Sequence, residues 1–468
     1  MRVPGPSGKF DTSLIVYAVF AAFFCISASV TAQTPDIGTR KVGEDWPAFL
    51  GPRGDGTSSE KGVDPKLWKP HPPIKWTMKL GVSYGGPTIA KGRLLQFDRF
   101  GDDERLTCFN AETAEELWRV ESKMEYEDML GYNNGPRCSP IVDGDYVYTF
   151  GVSGLLTCWQ LGDGKKVWQK DTQKEYGVVQ NFFGVASAPY VYKDLLLVMI
   201  GGSPPSSQLL NAREELDLVK PNGSAVVAFN KLTGKEVYRV GNDLSSYSSI
   251  TVREINGKAT GLAFLRSGLM AWEPESGKEI LKFPWRASLR DSVNAALPIT
   301  RGNQILISEA YEIGSALLSV TGGKTKTIWQ DSGTSLRKHA FRAHWSTPVW
   351  VGDYLYGCSG RNQPDADFRC IRMSDGKVQW AERRHERSSV LLVDGYLIVL
   401  GEYGRLELVK VNPEKLDVVA KSNLNQLDDP TDNRALLEYP CWAAPVLSRG
   451  LLYLRGNDRL ICLDLIPQ

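Results

Sequence analysis

One sequence pattern recurs along this chain at intervals of roughly 40–50 residues. Each copy has an apolar stretch, a small residue, a polar pair, a turn and a second stretch that ends in a large apolar residue. The clearest copies are Leu106–Trp118, Leu156–Trp168, Val226–Tyr238, Leu269–Leu281 and Phe368–Trp380. A period of this length is typical of propellers and solenoids, in which one supersecondary unit is repeated.

Each copy predicts a β-hairpin. In four of the five copies the turn contains Gly, which accommodates the positive φ of a tight hairpin turn, and apolar residues alternate on both sides. A second hairpin pattern precedes several copies, at Ser139–Gly151, Ala188–Gly202, Thr347–Gly360 and Ser389–Gly401. Two hairpins make a four-stranded antiparallel sheet, which is the blade of a β-propeller. Between the two hairpins of the third unit lies an insertion, residues 203–224.

The chain contains eight such units. They begin near Ser83, Gly135, Gly184, Ser246, Val293, His344, Ser388 and Tyr439. The last unit lacks its fourth strand. Residues 72–80, by contrast, have the pattern of a fourth strand but are not preceded by the first three strands of a unit. We therefore predict an all-β, eight-bladed propeller in which the strand at about 74–80 pairs with the C-terminal blade. This closure removes the exposed sheet edges of a linear array.

The remaining chain is N-terminal to the propeller. We predict a signal peptide at residues 1–32, an N-terminal arm at residues 33–71 and the propeller at residues 72–468. Arg2 and Lys9 precede an apolar run from Leu14 to Val30, and small residues follow before Gln33. This order is typical of a secretory signal, so we expect an exported protein, periplasmic or secreted. The alternative is an uncleaved membrane anchor at residues 14–30, which is nearly long enough to span a bilayer.

Composition excludes one class of partner and limits the disulfides. The 55 basic and 54 acidic residues nearly balance, and the basic ones are scattered, which argues against a nucleic-acid surface. Cys108, Cys158 and Cys370 occupy the repeat position that Ala228 and Ala271 fill elsewhere, as Cys462 also does. We expect them to be small buried residues. The pair Cys358 and Cys370, on adjacent strands, is the only disulfide that the sequence allows us to consider.

The repeated phrase, of the form Ala-x-Asn/Asp-x-x-Thr-Gly-Lys-x-x-Trp, resembles the tryptophan-docking repeat of the pyrroloquinoline quinone (PQQ) propeller superfamily. The segment Asp45–Ser58 also resembles the opening of PQQ-repeat proteins. The resemblance extends over nearly all of the chain after about residue 45. It implies the propeller fold and an outer-strand Trp that wedges neighbouring blades together.

Two branches of this superfamily imply different functions. Quinoprotein alcohol dehydrogenases carry an adjacent Cys-Cys pair, a calcium held by carboxylate and amide groups, and an Asp base. This sequence has no Cys-Cys dipeptide, and no Asp, Asn and Glu set matches that pattern. The resemblance to BamB-like propellers therefore implies a non-catalytic binding or scaffold protein of the cell envelope, with an envelope protein or a small ligand as partner. The alternatives are a PQQ- and calcium-dependent dehydrogenase and a glycan-binding propeller.

Aligning the innermost strands predicts which residues meet at the hub. We align them on Pro87, Pro140, Pro189, Ile250, Pro298, Pro348, Leu391 and Pro445. Two residues earlier, all eight positions hold Gly, Ala, Ser or Cys. Three residues earlier stand Tyr84, Arg137, Ala186, Tyr247, Ala295, Trp345, Ser388 and Trp442. We call this last set the hub ring, because equivalent positions of a closed propeller lie at one height.

The hub ring predicts a ligand site at one mouth of the central channel. Aromatic planes with a guanidinium suit a flat or anionic ligand. The candidate residues are Tyr84, Arg137, Tyr247, Trp345 and Trp442, with Asn133, Asn134, Arg342, His344, Arg387 and Tyr439 nearby. The alternative is that the aromatics fill gaps between blades and that Arg137 pairs with a loop carboxylate. No catalytic residue and no metal ligand set is predicted, because the four His do not form a ligand pattern.

Overall fold

The computed structural model describes residues 1–5, 8, 33–179, 182–207, 216–333, 335–429 and 431–468. Thr34–Gln468 form one compact unit. The apolar leader predicted at residues 14–30 lies outside the described residues. Among the residues that are described, no helix is long and apolar enough to cross a membrane.

Eight separate sheets, each built around four antiparallel strands, confirm the predicted eight-bladed propeller, and Thr57–Ser58 adds a parallel fifth strand to one of them. Two strands precede the first complete blade, β1 (Thr57–Ser58) and β2 (Ile74–Lys79). Blade 1 contains β3 (Thr88–Ala90), β4 (Arg93–Phe100), β5 (Asp103–Asn110) and β6 (Glu116–Lys123), and blade 2 contains β7 (Ile141–Asp143), β8 (Tyr146–Phe150), β9 (Leu155–Gln160) and β10 (Lys166–Asp171). Blade 3 contains β11 (Tyr190–Tyr192), β12 (Leu195–Met199), β13 (Val226–Asn230) and β14 (Glu236–Val240), and blade 4 contains β15 (Thr251–Ile255), β16 (Lys258–Phe264), β17 (Gly268–Trp272) and β18 (Glu279–Pro284).

The remaining blades have the same order of strands. Blade 5 contains β19 (Ile299–Arg301), β20 (Gln304–Ser308), β21 (Ser315–Thr321) and β22 (Lys324–Gln330), and blade 6 contains β23 (Val349–Val351), β24 (Tyr354–Ser359), β25 (Asp367–Arg372) and β26 (Val378–Arg383). Blade 7 contains β27 (Ser388–Val393), β28 (Tyr396–Gly401), β29 (Arg405–Lys410) and β30 (Asp417–Asn423), and blade 8 contains β31 (Val446–Ser448), β32 (Leu451–Arg455) and β33 (Arg459–Asp464). Within the described parts of the chain, helical structure is limited to the α-helix Thr172–Tyr176 and the 3-10 turns Pro65–Leu67, Pro205–Ser207, Leu216–Leu218, Leu336–Lys338 and Leu424–Gln426.

The two ends of the propeller meet in blade 8, as predicted. Strand β2 is its outermost strand and pairs antiparallel with β33. Trp76 lies directly opposite Cys462, and Thr77 lies opposite Ile461. The ring is therefore closed by hydrogen bonds between residues almost 390 positions apart in the chain.

Neighbouring blades are joined by outer-strand aromatic residues. In six blades the indole NH or phenol OH of this residue donates to a carbonyl in the next blade. The pairs are Trp76 to Ala111 (3.3 Å), Trp118 to Leu161 (3.0 Å), Trp168 to Lys231 (2.9 Å), Tyr238 to Pro274 (2.7 Å), Trp329 to Met373 (2.6 Å) and Trp380 to Asn412 (3.0 Å). Blades 4 and 7 have Leu281 and Ala420 at this position. The tryptophan-docking role that the resemblance implied is thus present wherever the aromatic residue is.

The repeat cysteines are explained by the same geometry. Cys108, Cys158, Cys370 and Cys462 each lie opposite the docking Trp of their own blade, and all four are fully buried. A small side chain at this position leaves room for the indole.

The disulfide considered between Cys358 and Cys370 is wrong. Every cysteine among the described residues is free. Cys358 lies opposite Phe368, whereas Cys370 lies opposite Tyr356, so the two thiols are two register positions apart on their paired strands. That offset keeps the sulfur atoms from the direct cross-strand approach that a bond requires.

The wheel has two distinct faces. The hairpin turns between the first and second strands of each blade, such as Lys91–Gly92, lie on one face, which we call the turn face. The connections between blades and the turns between second and third strands lie on the other, the loop face. The N-terminal arm crosses the turn face. Its backbone pairs with blade 1 at Trp46 and Ile89 and with blade 7 at Thr57 and Leu392.

We expect the docking residue Trp118 to stabilise the wheel measurably. Trp118→Phe keeps the ring but leaves the Leu161 carbonyl without its donor, which should cost about 1 kcal/mol of unfolding free energy. Trp118→Ala also removes the ring from Gly164 and should cost about 3 kcal/mol. Urea denaturation measures both. The control is Leu117→Ala, which alters the neighbouring exposed residue. A loss for Trp118→Ala no greater than for this control would contradict the docking role.

Stability should fall as the pH rises through the titration of Glu104. This carboxyl lies between blades 1 and 2 and accepts a hydrogen bond from Val152 N (2.8 Å). Burial raises its pKa from 4.5 to about 7, although Val152 and Arg99 oppose the shift. The folded protein therefore retains a proton that the unfolded chain loses, and stability declines between pH 4.5 and about 7.

Glu104→Gln should remove this decline. On going from pH 4.5 to pH 8, we expect the unfolding free energy of the variant to rise by about 2–3 kcal/mol relative to that of wild type. Thermal unfolding at a series of pH values measures the difference, with the exposed Glu121→Gln as the control. Parallel pH profiles for wild type and Glu104→Gln would contradict the assignment.

Candidate functional site

The hub ring lies at the loop-face end of the innermost strands. In blade 1, Ala90 pairs with Arg93 at the end of the first hairpin, and Tyr84 lies six residues before Ala90. In blade 7, Val393 pairs with Tyr396 at the same point, and Arg387 lies six residues before it. Blade 4 has a first hairpin that is two residues longer on each strand, so its ring member Tyr247 lies eight residues before Ile255. The prediction of Ser388 in the ring was wrong by one residue. Ser388 is buried, whereas Arg387 is half-buried like the other ring members.

With this correction the hub ring contains two Tyr, two Trp, two Arg and two Ala. The large members form a continuous series of contacts from blade 6 to blade 2. The ring centroids of Trp345 and Trp442 are 5.5 Å apart, and those of Trp442 and Tyr84 are 4.9 Å apart. The Arg387 guanidinium lies 4.7 Å from the Trp345 ring and 5.1 Å from the Trp442 ring. The Arg137 guanidinium lies 4.8 Å from Tyr84.

The opposite side of the ring is open. Blades 3 and 5 contribute only Ala186 and Ala295, on either side of Tyr247. Loop aromatics occupy part of this side. Phe183 packs against Tyr247, with centroids 5.4 Å apart, and its backbone NH donates to the Tyr247 hydroxyl (2.9 Å). The large and small residues therefore divide the hub unevenly, as the sequence indicated.

A cavity of about 350 Å³ occupies this part of the channel. All hub-ring members line it, together with His344. At the loop face its wall ends in exposed residues, including Tyr132 (54% exposed) and Leu130 (38%). At the other end it is lined by Trp46, Ala48, Phe49 and Leu50 of the N-terminal arm. The cavity is thus open toward the loop face and has a floor built by the arm.

Both ring arginines have carboxylate partners. Arg137 pairs with Asp128 at 2.5 Å, and both side chains are almost fully buried. Its other donors bond Asn133 and the Phe183 carbonyl. Arg387 pairs with Glu402 at 2.5 Å. The alternative expectation for Arg137, pairing with a loop carboxylate, is therefore confirmed. Both cations present flat surfaces to the aromatic rings while their charges are balanced outside the cavity.

Arg361 is the cavity cation with the weakest carboxylate contact. Its guanidinium lies 4.5 Å from the Tyr311 ring, and its distance to Asp291 is 3.9 Å. Both members of the pair are exposed, with 44% and 52% of their side chains accessible. Water screens such a pair strongly. Arg361 is therefore the positive group at the mouth that is best placed to meet an anionic ligand.

Two titratable ring residues that line the cavity, His344 and Tyr311, are neutral at neutral pH. Burial, followed by the charges of Arg387 and Arg361, lowers the pKa of His344 from 6.5 to about 3. Burial also raises the pKa of Tyr311 to about 12. The neutral His344 imidazole lies between the Tyr311 and Trp345 rings, with centroid distances of 5.7 and 5.3 Å.

Four predicted site residues lie outside the cavity lining. Asn133 accepts from Arg137 through its side chain (2.6 Å), and the Asn134 side chain accepts from Asp128 N (2.7 Å). Both therefore help to fix the loop that holds Arg137. Arg342 is buried and pairs with Asp365 at 2.6 Å. Tyr439 stacks on Tyr403, with centroids 4.9 Å apart, beside the mouth.

Several lining residues were not predicted. Tyr132, Phe183, Tyr311 and Arg361 come from connections between strands. These segments lie outside the repeated phrase, so no alignment of blades identifies them. The Asp45–Ser58 segment was noticed for its composition, but nothing in it indicated that its residues enter the channel.

The lining does not fit a calcium-bound quinone. Calcium in proteins takes six to eight oxygen ligands, with carboxylates among them. Asp291 is the only carboxylate among the described lining residues, and Cys138 is the only cysteine. Over the described parts of the chain, no three His, Cys, Asp or Glu residues are grouped to hold a metal ion. We therefore derive no chemistry through PQQ or calcium.

Comparison with solved structures identifies several similar folds. BamB from Moraxella catarrhalis has a TM-score of 0.54 and 10% identity, covering 83% of this chain and 96% of the other. Quinohemoprotein alcohol dehydrogenase from Comamonas testosteroni has a TM-score of 0.60 and 11% identity, covering 91% and 81%. The designed protein Ika8 has a TM-score of 0.50 and 9% identity, covering 88% and 99%. At these identities the similarity concerns the fold alone.

A comparison with curated proteins found no match. A family model described as outer membrane protein assembly factor BamB, however, matches residues 102–415. The match extends over blades 1 to 7, from the second hairpin of blade 1 to the outer hairpin of blade 7. Since it covers more than half of the sequence, this chain belongs to the BamB outer membrane protein assembly factor family.

Proposed function

We propose that this chain is an exported, non-catalytic binding protein of the cell envelope and that the channel cavity is its ligand site. The observation that carries the proposal is the composition of the cavity wall. It combines neighbouring aromatic rings, tilted against one another, and charge-balanced arginines with one exposed carboxylate among the described lining residues. Such a wall recognises a ligand by contact and stacking.

The same wall does not favour an enzyme. General acid–base catalysis requires a proton-transferring group with a pKa near the working pH. His344 is neutral with a pKa of about 3, and the carboxylates behind the ring are bound to Arg137 and Arg387. The dehydrogenase alternative is further weakened by the misfit with calcium described above. An exported location is supported by the N-terminal sequence pattern and by the family, and an envelope protein partner by the family alone.

The ligand class follows from the two ends of the cavity. The interior offers aromatic faces and alanine-sized gaps, whereas Arg361 and Asn362 lie at the mouth. A planar apolar ring with one anionic group would place the ring among Trp345, Trp442 and Tyr247 and its charge beside Arg361. An aromatic carboxylate such as 2-naphthoate is therefore a suitable probe.

We expect wild-type protein to bind 2-naphthoate in isothermal titration calorimetry. Ala295→Phe fills the open side of the hub ring and should weaken binding at least about tenfold. The matched control is Ala259→Phe, the same change at an exposed position of β16, which should bind as wild type does. Arg361→Gln should weaken binding by a smaller factor of about three to five, because the exposed pair is solvent-screened.

Four results would contradict the proposal. Absence of binding to wild type, or equal binding to Ala295→Phe, would remove the cavity as the ligand site. Saturable binding of a monosaccharide with none of 2-naphthoate would favour the glycan alternative. Dye reduction that depends on added PQQ and calcium, with a primary alcohol as substrate, would favour the dehydrogenase alternative.

A further inference from the structure

We propose that the N-terminal arm determines which ligands the cavity accepts, with Phe49 as the specificity-determining residue that limits how deep a ring can enter. The inference rests on the proposed function, since it concerns the same cavity. It adds that residues 46–51, which precede the propeller in sequence, form the floor of a pocket that the blades alone would leave as an open channel.

The floor is fixed to blades 1 and 2 on one side of the channel. Trp46 and Ile89 exchange two backbone hydrogen bonds, each of 2.9 Å. Val142 N of blade 2 donates to the Pro47 carbonyl at 2.8 Å. Trp46 itself is 1% exposed and belongs to the hydrophobic core that includes Ile89.

The arm then reaches other blades across the channel. The Arg253 guanidinium of blade 4 donates to the Gly54 carbonyl at 2.7 Å. Leu392 N of blade 7 donates to the Gly56 carbonyl at 2.8 Å. Because blades 1, 2, 4 and 7 lie at different places around the ring, these contacts require the segment between Trp46 and Gly56 to cross the channel end.

The backbone at the floor is held in an uncommon conformation. Leu50 has φ 59°, in the left-handed region that bulky residues rarely adopt, and its side chain is 4% exposed and lines the cavity. Gly51 follows with φ 84°, and a β-carbon there would lie 2.8 Å from the Trp46 ring. Such a conformation persists only where surrounding contacts stabilise it, and it is found preferentially at functional sites.

Phe49 is the large floor residue that keeps accessible surface. Trp46 and Leu50 are buried, whereas Phe49, like the smaller Ala48, is half-buried and lines the cavity. It packs against the core of blades 2 and 3, which includes Cys138, Ile141 and Ala188. Its ring thus lies beneath the side of the hub that Ala186 leaves open. Because Phe49 is the bulkiest half-buried arm residue that lines the cavity, its ring is the one whose size sets how much room a ligand ring finds there.

The experiment compares aromatic carboxylates of increasing length, namely benzoate, 2-naphthoate and 2-anthroate. Phe49→Ala lowers the floor, so we expect the affinity for 2-anthroate to rise at least about tenfold relative to that for benzoate. Phe49→Trp raises the floor and should weaken 2-naphthoate more than benzoate. The matched control is Val63→Ala, which removes apolar bulk from a buried arm residue that does not line the cavity.

The outcomes separate this inference from the proposed function. If wild type binds the three carboxylates and Phe49→Ala leaves the ratio of the affinities for 2-anthroate and benzoate unchanged, the arm does not determine how deep a ligand ring can enter. A change of the same size in Val63→Ala would also overturn the inference. If wild type binds none of the three probes, the proposed function fails first. Phe49→Leu, which keeps an apolar side chain, replaces Phe49→Ala if that variant does not fold, and it should shift the ratio in the same direction.

Discussion

The pairing of Ile74–Lys79 with Arg459–Asp464 is the interaction on which the rest of the structure depends. It joins the first and last propeller strands in one sheet, and so converts eight sheets in a row into a closed ring. Only in a closed ring do equivalent innermost residues face one another across a channel. The hub ring, the cavity that it encloses and the arm that crosses the channel end all require this closure.

Closure also adds blade 8 to the series of docking contacts. Trp76 of the closing strand donates to the Ala111 carbonyl of blade 1, which is the contact that Trp118 and Trp168 make one and two blades further on. These contacts recur in six of the eight blades around the rim, whereas the proposed ligand site lies where the repetition of large hub residues stops. Ala186 and Ala295 interrupt the large hub residues, and Phe49 closes the space from below.

The repeat made the fold predictable, since eight copies report the same local structure independently. It also predicted most hub residues. Blades 4 and 7 both lack the Pro of the other blades, and in blade 7 the ring position was assigned to Ser388, whereas Arg387 is the half-buried residue that lines the cavity. Residues such as Phe183, Arg361 and Phe49 were not predicted, because loops and the arm take their positions from tertiary contacts that have no period in the sequence.

Hydrogen exchange of the full chain, followed by mass spectrometry, tests the closure most directly. Amides of Ile74–Lys79 that donate to β33 should exchange as slowly as those of Arg459–Asp464, within about tenfold, because both strands open only when the ring opens. Fast exchange of Ile74–Lys79 while the strands of blades 1 to 7 remain protected would show that the ring is not closed there. That result would contradict the shared hub and the cavity built on it.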